Sequence, residues 1–160
     1  MLGAGLRAGL IGGIAFSVLV LCSSTALGIS AGWGILFGLA TCCVLLLGFV
    51  ALGGWAANIG GTAIATVGEA LGSGAIAGGL SGIIAGMANL VGALLAFWVF
   101  GPGAFDVFQD QRTSPVGIGG TLIWGCFWLI ALPLLGGTLG AIGGAMYQAL
   151  RGSSARSQRA

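Results

Sequence analysis

Apolar residues in this chain run in long uncharged blocks, separated by short stretches of small or polar residues. Crossing a hydrocarbon layer of ~30 Å takes about 20 helical residues, and four blocks are long enough. The pattern predicts an all-α integral membrane protein with about four transmembrane helices, at residues 6–29, 33–57, 74–100 and 117–149. Trp33 and Trp55 fall near opposite ends of the second block, about 33 Å apart at the rise of a helix, which suits the two headgroup levels. Between Asn58 and Ser73 the chain turns small and mildly polar. There Ile64, Val67 and Leu71 recur at i, i+3 and i+7, predicting a short interfacial helix over Thr62 to Leu71, ended by a break at Gly72-Ser73-Gly74. Pro102 between two glycines stops the third block, Pro133 supplies a kink in the fourth, and residues 151–160 form a basic tail.

Within the apolar blocks, glycines recur every fourth residue: Gly5, Gly9 and Gly13; Gly34 and Gly38; Gly74, Gly78, Gly82 and Gly86; Gly136, Gly140 and Gly144. On a helix that spacing lays a shallow groove without side chains down one face, where a second backbone can approach closely. These glycine-zipper faces are expected to pack helices, within this chain or against its neighbours. Residues 3–15 laid over 72–84 match at six of thirteen positions, among them Gly5 on Gly74, Gly9 on Gly78 and Gly13 on Gly82. As a true repeat, this would make the chain two duplicated helical hairpins in parallel orientation.

Composition agrees with membrane embedding: 58% of the 160 residues are hydrophobic and 5% charged, against about 25% charged in a soluble domain. The opening stretch has features of a signal peptide, with Arg7 before the apolar run and Ser24-Thr25-Ala26 after it, but it is read as a first membrane helix. A net charge of +2, carried by scattered arginines, offers no basic stripe for nucleic acid. The four cysteines, Cys22, Cys42, Cys43 and Cys126, lie in apolar stretches and are expected as small buried hydrophobes. With no histidine and no C-x-x-C pair, zinc sites and His-based acid–base chemistry lose their usual groups. Four crossings put both termini on one side, where Arg7, Arg151, Arg156 and Arg159 outnumber Arg112 on the other, so the termini are expected in the cytoplasm.

A few polar positions stand apart from this background. Asn89 and Asn58 are the intramembrane amides, suited to interhelical hydrogen bonds or to holding a substrate, ion or pigment. Glu69 is either a solvated interfacial residue or a relay point, and together with Phe105, Asp106, Phe108, Asp110 and Arg112 it is a possible contact for a partner. No nucleophile–base pair, phosphate cradle or metal cluster is visible, so catalysis is not expected. The chain reads as a small non-catalytic subunit of a larger respiratory, photosynthetic or transport complex, in a prokaryotic inner membrane, with other membrane subunits and lipids as partners. The alternative is a homo-oligomeric channel or small transporter. No cofactor is required by the sequence, although the grooves could contact lipid, carotenoid, chlorophyll or quinone.

Overall fold

The computed structural model describes residues 2–29, 31–61, 64, 66–100 and 116–157; side chains at 24–29, 31–35, 96–97, 100, 116–122, 124 and 152–157 are outside that description. Four helices account for nearly all of it: α1 (Leu2–Ile29), α2 (Ala31–Gly60), α3 (Val67–Phe100) and α4 (Val116–Ser157). Each contains a stretch long and apolar enough to span a bilayer: Leu2–Ser23, Leu36–Gly60, Val67–Leu95 and Gly125–Arg151. Much of the outward surface is large and apolar, as at Leu47, Ile123 and Trp98. Such a surface is tolerable against lipid and not against water. The chain is therefore described as a multi-pass integral membrane protein.

Two boundaries differ from those the sequence suggests. The break at Gly72-Ser73-Gly74 is absent: α3 starts at Val67 and runs unbroken through all three residues, so Val67–Leu71 belong to it, while residues 62, 63 and 65 of the expected short helix lie outside the described residues. Ser73 stays inside the helix because its hydroxyl donates to the Ala70 carbonyl at 3.1 Å, satisfying the polar group within one turn. The turn into α3 is made instead at Gly61, whose φ of 53° is open to glycine at no steric cost, followed by the Ile64 amide donating to the Gly61 carbonyl at 3.4 Å. At the other end, α4 continues to Ser157, so most of the basic tail is helical. At 42 residues, about 63 Å long, α4 outruns any bilayer core and passes through Pro133 as one helix.

The helices alternate in direction. Gly12 meets Leu52 and Gly48 meets Phe16, so α1 and α2 are antiparallel. Gly5 faces Ser73 and Ile76, and Gly9 faces Ala77 and Leu80, which makes α1 and α3 parallel at a displacement of 68 to 71 residues. The register of the sequence match, 69, lies within that range, so the matched glycines share a depth in the bundle. In cross-section the order is α1, α3, α4, α2, with the α3–α4 contact the most extensive; α2 and α3 also touch across the diagonal, whereas α1 and α4 scarcely meet.

Packing is tightest between α3 and α4. A Cβ placed on Gly74, Gly78 or Gly82 would run into the carbonyls of Gly140, Gly136 and Leu132 respectively, and one on Gly86 would lie 3.1 Å from the Leu129 Cα. The reverse also holds, with Gly136, Gly140 and Gly144 against the carbonyls of Gly78, Gly74 and Ala70. Side-chain bulk at any of these positions would push backbone against backbone, which cannot yield locally. On α1, Gly5 and Gly9 lie over the carbonyls of Ser73 and Ala77, and Gly13 over the Ile84 side chain. Gly38, expected on a packing face, meets nothing within 4 Å, and Gly34 falls among the side-chain positions not described. On α2, Gly48 lies under the Phe16 ring, Gly53 against the Gly140 carbonyl and Gly54 beside the Gly143 carbonyl; Gly143 of α4 lies on the Val50 carbonyl.

Replacing Gly78 by Ala is expected to destabilise the bundle by about 1–3 kcal/mol, whereas Gly38→Ala should change it by no more than about 0.5 kcal/mol. Reversible unfolding of both variants in mixed detergent micelles checks the difference; equal losses would contradict the packing described.

Candidate functional site

Side-chain size divides the bundle along its axis. At the level where α1 begins and α4 ends, Ala8, Ala56 and Ala77 form one small buried cluster, and Ala57, Ile64 and Ala70 another beside Tyr147. Further along, Phe16, Val20, Leu45, Phe49, Leu52, Ala85 and Leu132 take over the core. The Phe16 and Phe49 rings meet edge to face, with centroids 5.0 Å apart at 79°. Small residues let the helices close. Large ones hold them apart, and α1 and α4 make almost no contact to close the gap.

The space left is a partly open cavity of about 250 Å³. All four helices line it: Val20 and Ser23 of α1; Gly38, Thr41, Cys42, Leu45, Leu46 and Phe49 of α2; Asn89 of α3; Trp128, Leu132 and Leu135 of α4. The walls are mainly aliphatic. Ser23 donates its hydroxyl to the Val20 carbonyl at 2.8 Å and is satisfied within its helix. Thr41 and Asn89 differ: among the described residues, neither side chain has a hydrogen-bond partner, although Thr41 is only 8% exposed. Asn89 was singled out by its position in an apolar run, and the structure places it at this cavity rather than in an interhelical bond.

The other marked positions settle into structural roles or fall elsewhere. Asn58 accepts a hydrogen bond from the Tyr147 hydroxyl at 2.6 Å, tying α2 to α4. Next to it, Gln148 Nε2 donates to the Ile64 carbonyl at 2.9 Å, pinning the turn between α2 and α3. Glu69 takes part in a reciprocal cap: its amide donates to Thr66 Oγ1 at 3.2 Å, and its Oε2 accepts from the Thr66 amide at 3.0 Å. Thr66-x-x-Glu69 is a capping-box spacing, and it is what starts α3 where it does. Phe105, Asp106, Phe108, Asp110 and Arg112 lie outside the described residues. The four cysteines are free and exposed, Cys42 of them lining the cavity, not buried as expected; among apolar surroundings a thiol carries little solvation penalty. Arg7, Glu69 and Arg151 share the end of the bundle that holds the α2–α3 turn.

Among the described residues, no three His, Cys, Asp or Glu side chains cluster as a metal site. No protein-family model, curated protein or solved structure matches this chain.

Tyr147→Phe removes the α2–α4 hydrogen bond and is expected to cost about 0.6–1.7 kcal/mol, the range for such bonds in membrane bundles. In a double-mutant cycle with Asn58→Leu the coupling should account for most of that loss. Thr66→Ala should cost about 1 kcal/mol and speed amide exchange in the first turn of α3 selectively.

Proposed function

We propose that this chain is a small, non-catalytic subunit of a larger membrane assembly, with other transmembrane subunits and lipids as its partners. The observation that carries the reading is the outward surface: large apolar side chains on all four helices, with the described charged side chains gathered at one end. A protein with so little polar surface has contacts to offer mainly inside the bilayer. The glycine faces work in this reading as zippers that hold the chain's own helices, since those of α1, α3 and α4 are taken up internally. The partners then meet the chain through its larger apolar side chains. In this reading the chain sits in a prokaryotic inner membrane with both termini in the cytoplasm; the arginine balance supports that orientation, with Arg7 and Arg151 at the end where the chain begins and α4 finishes.

The cavity gives a second reading some support, because Asn89 and Thr41 place polar groups where a homo-oligomeric channel or small transporter would need them. Its walls are otherwise aliphatic, and pore linings rely on rings of carbonyls or charged and polar groups.

Mild-detergent extraction from native membranes, followed by native electrophoresis and mass spectrometry, separates the two. Co-migration with defined, non-identical membrane subunits is the expected result. A ladder of identical chains would overturn the subunit reading.

A further inference from the structure

We infer that the cavity between the four helices is a binding site for a membrane-soluble ring compound bearing carbonyl acceptors, the chemistry of a quinone headgroup. The argument begins with two unpartnered donors. In hydrocarbon an amide or hydroxyl without a hydrogen bond is destabilising by several kcal/mol on transfer scales, and bulk water is not at hand to supply one. Asn89 Nδ2 and Thr41 Oγ1 are both donors, both at the same cavity, and neither bonds to a described residue. Thr41 is 8% exposed and Asn89 half-buried, and the polar atoms of both are open to the cavity rather than sealed in the packing. An occupant bearing acceptors would satisfy both donors at once.

The rest of the wall fixes what surrounds those acceptors. Leu46 and Leu135 call for an apolar body and Trp128 offers an aromatic surface to a flat ring, with the fully buried Phe49 packed behind them. A dry cavity of roughly 150 Å³ already holds benzene. About 250 Å³ therefore leaves space for a substituted ring, and the half-open mouth lets an alkyl tail pass out among the lipids. A bare acyl chain would fill the volume but leave both donors unmet, and water would satisfy the donors but not the aliphatic walls. The site asks for binding alone; no group in it is assigned a chemical step.

The test uses the full chain in lipid nanodiscs, titrated with a short-tail benzoquinone while tryptophan fluorescence is followed. Trp128 at the cavity reports occupancy as a saturable component above the linear collisional quenching. Gly38→Leu extends a side chain from a position with nothing within 4 Å of its Cβ, so it should block the cavity, leave the bundle folded and abolish the saturable component. Asn89→Leu should raise the half-saturating concentration about tenfold, as expected for one lost hydrogen bond. An alkylbenzene of matching chain length should fail to displace the quinone. Purely linear quenching in the wild-type chain overturns the proposal. So does a saturable component that Gly38→Leu or a folded Asn89→Leu leaves unchanged, or one that the alkylbenzene displaces equally well, which would make the cavity an acyl-chain groove.

Discussion

Helices in a bilayer gain nothing from hiding apolar side chains from one another, because the lipid is as apolar as they are. What remains is the depth to which backbones can approach, and the α3–α4 contact is where this chain takes that furthest. Glycines on each helix lie over carbonyls of the other for almost the whole shared length, from Gly144 over Ala70 to Gly86 beside Leu129. The other contacts are arranged around that pair. Helix α1 lies on α3 through Gly5, Gly9 and Gly13, and α2 reaches α4 through Gly53 and the Val50 carbonyl under Gly143. Because α1 and α4 have no comparable contact, the section of the bundle is skewed, and the skew creates the cavity.

Much of this was legible in the residue pattern, for a physical reason: spanning length and glycine spacing are local properties that a bilayer enforces strictly. The four spans are of that kind. Spacing alone does not say which side of a helix meets a neighbour, which is why Gly38 proved open while Gly48 and Gly53, outside the every-fourth pattern, are in contact. The start of α3 was misjudged although its signal lay in plain view: Thr66-x-x-Glu69 announces a helix N-terminus, whereas Gly72-Ser73-Gly74 resembles a break only where glycine has no neighbour to pack on. In α3 it has one, since Gly74 lies on Gly140.

The polar residues divide along the same lines. Asn58 found Tyr147, a partner 89 positions away that no local pattern could name. Asn89 found a cavity instead, and that too depends on distant residues: the ring pair Phe16–Phe49 holding helices apart and the absence of an α1–α4 seam. Glu69, the one described carboxylate, is engaged in a cap, so its charge also meets the positive end of the α3 dipole.

The parallel lie of α1 on α3 also leaves the first hairpin incomplete by itself. In the first hairpin alone Gly5, Gly9 and Gly13 lack their partner, because the groups they fit, the Ser73 and Ala77 carbonyls and the Ile84 side chain, belong to α3. Nothing in the first half can cover that groove. The glycine seam of α1 is thus closed by α3, and that of α3 by α4.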